Sequence, residues 1–367
     1  MKNSLRIFFI SVFFSIFIFY SNTIYAEDLI IDSEVVDIKD NGNLIEASGK
    51  VKITDQNNIT ITGNRLTYNK LDQILEIEGQ VIFTDVENNY RAKSNKIIFF
   101  REKNLIYSKE KTELNFLDSS NTNTIIKIES ENSLYDRKKQ VLKINNNVIL
   151  TDYLNKYKLF SKNVIYKKIE NIITSVGITK IDYNNRYEIL TKNISLDRNQ
   201  KIFFSQNNTS IEDEQNNVFK VSNFEFNFKN KIIKSKNLSL KDAENNILEL
   251  KNGYVDLNSK EIVGSDYVLN LNKNSFGNDE NDPRLIGRYV IVNNKETKMK
   301  KSSFTTCKNN KDKCPAWSIS ADEIKHKKEE KKISYKNAWL KIYDKPIAYF
   351  PYFFHPDPTV DRQSGFL

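Results

Sequence analysis

A phrase of about 30 residues recurs along this chain, and fixed-interval self-similarity belongs to chains that fold as stacks of like units. Each copy places an Asn or Asp ahead of alternating apolar residues, as in "GNRLTY" from Gly63, "SNKIIFF" from Ser94, "KNVIYK" from Lys162 and "SNFEFNF" from Ser222. The marker residues are Asn64, Asn95, Asn132, Asn163, Asn193, Asn223, Asn237 and Asp266, in steps of 31, 37, 31, 30, 30, 14 and 29. A second phrase interleaves with the first: "ASGKVKIT" from Ala47, "IEGQVIFTD" from Ile77, "INNNVILTD" from Ile144 and "TSVGITKID" from Thr174.

Alternation of apolar and polar residues is the period of a half-buried strand. It sends Val51 with Ile53, Leu66 with Tyr68, Val81 with Phe83, and Val148 with Leu150 to one face. Turns fall in Asn- and Asp-rich clusters such as "DQNN". Helical periodicity is weak, so the expected fold is all-β, a jellyroll or solenoid of repeated short strands with very little helix. Its inner face would be a continuous apolar groove, and the eight residues just named are the candidates for lining it.

The start of the chain reads differently. Lys2 and Arg6 precede the apolar run "IFFISVFFSIFIFY" and polar "SNTIYA" follows, the layout of a secretory signal peptide cut after Ala26. The run is shorter than the about 20 residues of a membrane span. Export would put Cys307 and Cys314 in a compartment where disulfides persist.

Composition excludes several function classes. The net charge of +9 falls by two with Lys2 and Arg6, and the remaining bases alternate with acids. A nucleic-acid site needs a concentrated basic patch, and none is visible. Acids are spread evenly, there are two His, and no G-x-S-x-G elbow or Gly-rich phosphate loop occurs. The sequence therefore predicts neither an enzyme nor a cofactor or metal site. The alternative to a lipid groove is an exported structural or adhesive solenoid.

Composition shifts near residue 282. All six prolines lie at or after Pro283, and both Trp and both Cys lie in the last 61 residues. The expected organisation is a signal peptide over 1–26, jellyroll repeats over 27–271, a linker over 272–287 and a distinct segment over 288–367. Within the last, "AWSISADEIKH" and "KKISYKNAWLKIYDKPIAYF" read as a hairpin around a charged turn, with a slip between Tyr335 and Ala338.

Residues 303–367 resemble the LPS-assembly protein family of the Gram-negative outer membrane. The resemblance rests on "TTC" at 305–307, "PAWSISAD" at 315–322, "NAWLKI" at 337–342, "PIAYFPYFFHPDP" at 346–358 and "RQSGFL" at 362–367. The upstream repeats resemble that family's periplasmic jellyroll. The resemblance implies lipopolysaccharide as cargo, received from a periplasmic LptA-like bridge protein by strand pairing and passed to an outer-membrane barrel. That barrel is absent from this sequence, and a lipoprotein plug resembling LptE would sit in it. The barrel-junction motif would be carried by Pro351, Tyr352, Pro356, Arg362, Ser364, Gly365 and Phe366. In the family, the cysteine matching Cys307 forms a long-range disulfide to the barrel. Cys314 departs from that pattern, and a local Cys307–Cys314 pair stays open beside it. The implied location is the outer membrane, with this part in the periplasm.

Overall fold

The computed structural model describes residues 29–55, 59–87, 89–118, 123–273, 281–309, 315–356 and 360. The signal-peptide segment lies outside them. Among the described residues the chain forms 24 strands, and the only helix is a 3-10 turn at Asp40–Gly42. The expectation of an all-β fold with little helix holds.

The first half comprises β1 (Ile30–Asp32), β2 (Val35–Lys39), β3 (Leu44–Thr54), β4 (Ile59–Asn69), β5 (Ile74–Asp85), β6 (Tyr90–Phe100), β7 (Leu105–Leu117), β8 (Thr124–Asp136), β9 (Val141–Asp152), β10 (Tyr157–Lys167), β11 (Ile172–Tyr183) and β12 (Tyr187–Lys192). The second half comprises β13 (Ser195–Asp197), β14 (Ile202–Ser205), β15 (Thr209–Asp213), β16 (Val218–Asn227), β17 (Ile232–Lys241), β18 (Ile247–Asp256), β19 (Glu261–Asn270), β20 (Arg284–Val292), β21 (Glu296–Thr305), β22 (Trp317–Lys327), β23 (Lys332–Ile342) and β24 (Lys345–Pro356).

Each strand pairs antiparallel with its neighbour in sequence from β3 to β11 and again from β16 to β24. Between them β12 and β13 both pair with β11, and β14 and β15 both pair with β16. They are halves of broken rungs, as β1 and β2 are against β3. The ladder continues across the linker, since β19 pairs with β20 and residues 284–287 already belong to β20. The charged hairpin appears as β22 and β23 in unbroken register, and the change of inward parity between Tyr335 and Ala338 falls at Asn337, whose φ is 50°.

The rungs are bent in the middle. In β3 the pairing jumps from Ser48 to Val51, leaving Gly49 and Lys50, both at positive φ, opposite Asn64. The same device recurs at Gly79–Gln80 in β5, Glu110–Lys111 in β7 and Asn146–Asn147 in β9. Two residues facing one make a bulge that turns the strand. In the second half the markers themselves take up the left-handed backbone: Asn193, Asn223, Asn237 and Asp266 have φ between 47° and 53°. Asn and Asp tolerate this region far better than other non-glycine residues. The recurring Asn of the sequence repeat thus marks, to within a residue, the corner of the fold.

The bend folds the sheet onto itself as two leaves. Phe116, near one end of β7, and Tyr166, near the opposite end of β10, have ring centroids 5.4 Å apart. On a flat sheet they would be separated by three strand spacings of about 4.8 Å and by about 30 Å along the strands. Only a folded sheet brings them together. Small buried residues line the inside of the corner (Gly63, Ser94, Ser133, Ser161, Gly264) while Tyr68, Phe99, Tyr157, Tyr183, Phe203 and Phe226 lie toward the strand ends. The cross-section is a wedge, narrow at the corner and wide at the mouth. Hydroxyls near the corner satisfy one another, as in Ser108 with Thr112 at 2.6 Å and Thr191 with Thr209 at 2.7 Å.

Candidate functional site

The interior of the wedge is one apolar surface running through the rungs from Ala47 to Ala338. Val51, Ile53, Leu66, Tyr68, Val81, Phe83, Val148 and Leu150 all point into it, each no more than 6% exposed. Strand alternation fixes this, because residues two apart share a face, and the bulge resets the parity so that both halves of a rung point inward. In β4, Ile59, Ile61 and Gly63 are buried before the corner and Leu66 and Tyr68 after it. The eight predicted residues therefore share one face, but that face is filled by side chains from the opposite leaf. In place of the open track expected from the sequence, the described residues form a packed core with a mouth along its side.

The mouth is where sequence reasoning missed residues. Tyr90 and Phe116 come from one rim, Tyr135, Leu142 and Tyr166 from the other, and with Asp85 and Lys168 they enclose a void of about 30 Å³. The rings form a chain: Phe83 to Tyr90 at 5.7 Å, Tyr90 to Phe116 at 5.6 Å, and Phe116 to Tyr166 at 5.4 Å. Burial pushes the phenols of Tyr90 and Tyr135 above their ordinary value. Lys168 lies across from Asp85; burial lowers its ammonium, and the carboxylate partly offsets that. The signal for these residues was available, since each aromatic lies at or near the end of its strand. The pairing between rims was not, because it joins strands remote in sequence.

Further along, the mouth stands open. A cleft of about 450 Å³ lies between Leu240, Leu248, Leu269 and Leu271 of one leaf and Val292 and Thr297 of the other. Asp242, Glu244 and Asn246 stand on one rim, His326, Lys328 and Lys331 on the other. Lys328 repeats the Lys168 arrangement: burial lowers its ammonium, and Asp242 and Glu244 oppose that.

Both ends of the ladder are unpaired among the described residues. At one end Ile30, Val35, Val36 and Ile38 are exposed on β1 and β2. At the other, β24 pairs only with β23 and presents Ile347, Tyr349, Phe350 and Tyr352 to solvent. Pro351, Tyr352 and Pro356 of the expected junction motif lie on this edge strand. Arg362, Ser364, Gly365 and Phe366 lie outside the described residues.

Cys307 is a free, partly buried thiol. Its backbone N–H donates to Thr305 Oγ1 at 3.1 Å, and its carbonyl accepts Arg284 at 2.5 Å. Burial pushes the thiol up, but contacts with Thr305, the Trp317 and Ala316 backbone and the Arg284 charge outweigh it and leave it below its ordinary value. Cys314 lies outside the described residues. Among the described residues, no group of three His, Cys, Asp or Glu side chains is placed to hold a metal ion.

No protein-family model matches this chain, and no curated protein matches it. Among solved structures it is similar to LptH of Pseudomonas aeruginosa, described as the LptA-homologous periplasmic component of a lipopolysaccharide transport device. The identity is 15%, the match covers 32% of this chain and 82% of that one, and the TM-score is 0.28.

Proposed function

We propose that this chain carries lipopolysaccharide, its folded sheet receiving the lipid from a periplasmic bridge protein and delivering it toward an outer-membrane barrel. One observation supports this most: a single apolar inner face continues through the ladder beneath a mouth that runs along its side. Exposing acyl chains to water costs about 0.8 kcal/mol per CH₂, so a multi-acyl lipid moves readily only where apolar contact is unbroken. The resemblance of residues 303–367 adds the direction of travel.

The unpaired β1 and β2 edge would take a strand of an LptA-like bridge protein, since an exposed edge offers its backbone groups for pairing. The β24 edge would lead to the barrel and, through it, to the LptE-like lipoprotein. The chain would act in the periplasm at the outer membrane, without an enzymatic step. Whether Cys307 pairs with Cys314 or with a barrel cysteine belongs to this proposal; its lowered thiol would favour exchange.

Where the leaves are in contact, as at the aromatic cover, lipid would pass by parting the mouth. Photo-crosslinking residues placed at Ile53, Phe83 and Tyr166 in cells test this. Lipopolysaccharide adducts at all three positions would support a track through the core, and an adduct at Tyr166 alone would put the track at the mouth.

The filled interior favours a second reading, a structural or adhesive solenoid. Absence of lipid adducts at every position, in protein that is exported and folded, would establish that reading instead.

A further inference from the structure

Two charged spans cross the mouth, and only one of them stands over open space. Beneath Lys168 the aromatic chain leaves about 30 Å³, room for about one or two water molecules. Beneath Lys328 the cleft is about 450 Å³, within the range of small-molecule sites. Its floor is apolar, made by Leu240, Leu248, Leu269 and Leu271.

The two rims of this cleft differ in what their charges are doing. Asp242 closes its own turn: Oδ1 accepts the backbone N–H of Glu244 and of Asn246, and Oδ2 accepts Asn246 Nδ2 at 2.9 Å. Glu244 accepts Asn246 Nδ2 at 3.4 Å. On the other rim, Lys328 donates to the Asn293 carbonyl at 2.8 Å, and an ammonium has three donors. Lys331 closes the β22–β23 turn with its backbone, in the left-handed region at φ 47°, its N–H donating to the Lys328 carbonyl. Anion-seeking groups thus stand over an apolar floor, while the facing Asp242 is committed to local structure.

We propose that this cleft seats an amphiphile with an anionic head, one acyl chain lying on the leucine floor and a phosphate held by Lys328 and Lys331. The inference rests on the lipid-carrying reading and adds to it the point where the charged end of the lipid is gripped. The phosphate would accept from Lys328 beside the Asn293 carbonyl, across the mouth from Asp242 and Glu244.

Calorimetric titration of the purified protein with dodecyl phosphate, dodecyl maltoside and inorganic phosphate tests it. Lys328→Met should weaken dodecyl phosphate about tenfold, the worth of one charge-assisted hydrogen bond, about 1.4 kcal/mol, and leave dodecyl maltoside unchanged. Leu271→Glu should abolish binding of both detergents, and the remote Lys139→Met should change neither. Dodecyl phosphate binding that ignores Lys328→Met and Leu271→Glu alike overturns this seat and leaves the transport reading standing. Inorganic phosphate binding alone with the same Lys328 dependence overturns it in favour of a simple anion site. If neither detergent binds the folded protein, this seat is overturned, and the transport reading is decided by the crosslinking at Ile53, Phe83 and Tyr166.

Discussion

The Tyr267 hydroxyl donates to Ser302 Oγ at 2.7 Å, across a backbone position occupied by Gly287. A side chain at 287 would begin 2.7 Å from the Tyr267 ring, closer than any two such atoms settle. Tyr267 is 1% exposed, so the ring has little room to retreat. Gly287→Ala is expected to destabilise by about 1–3 kcal/mol, the usual cost of overpacking. Urea unfolding followed by circular dichroism measures it.

The corners carry a cost that substitution can relieve. Glu110 and Lys111 are two consecutive non-glycine residues in the left-handed region, at φ 64° and 46°. Each conformation of this kind costs roughly 1–2 kcal/mol for an ordinary L-residue, and glycine escapes most of it at some entropic cost. Lys111→Gly should therefore stabilise by about 0.5–1 kcal/mol. The reverse holds at Gly79, with φ 82° and Asn64 Cβ 2.8 Å from where a side chain would start. Gly79→Val should destabilise by more than 1 kcal/mol or so. A pair of melting curves on the two variants, moving in opposite directions, is the expected result.

These corners also show what the sequence can disclose. Asn64, Asn95 and Asn223 stand out in the sequence because a bend needs a residue that either adopts positive φ or faces one that does, a local demand. Val51 and Ile53 were legible as an inward pair for the same reason: alternation is local. What faces them is not local. Phe116 meets Tyr166 across 50 positions of chain through three intervening strand pairings. No periodicity encodes that offset; it follows from the accumulated bend and twist of the rungs. So the strand repeat and its inward face were readable, whereas the folding of the sheet into a closed wedge, the aromatic cover and the Lys328 cleft were not.

The aromatic cover makes its own prediction. Phe116 touches Tyr90 and Tyr166, and edge-on aromatic contacts add about 0.5–1.5 kcal/mol beyond simple burial. Phe116→Ala should cost about 2–3 kcal/mol and open the mouth at its tightest point. Hydrogen exchange should then quicken in β7 and β10 while β20 to β23 keep their protection. Uniform loss of protection across all rungs would show that the cover does not act locally.

Alkaline pH offers a test of how completely the wedge is closed. Burial raises the phenols of Tyr90, Tyr135, Tyr157, Tyr183, Tyr187, Tyr267 and Tyr335 above their ordinary value of 10.0. An acid whose folded value is raised holds its proton in the native state after the unfolded chain has lost it. The unfolded state then binds fewer protons, and stability falls with rising pH. The contribution is complete below pH 10 and is lost progressively above it. Lys168 and Lys328 act in the opposite sense: burial lowers them, so the native state releases protons first and gains stability toward their ordinary value of 10.5. With seven phenols against two amines, the phenols prevail. The urea midpoint should hold steady from pH 7 to about 9 and drop steeply above about 10. Tyrosinate absorbance of the folded protein should reach only part of its full amplitude before that drop, the remainder appearing with unfolding. Complete tyrosinate formation in protein that still holds its strand signal would mean that the mouth admits water freely, and the closed wedge would have to be redrawn as an open trough.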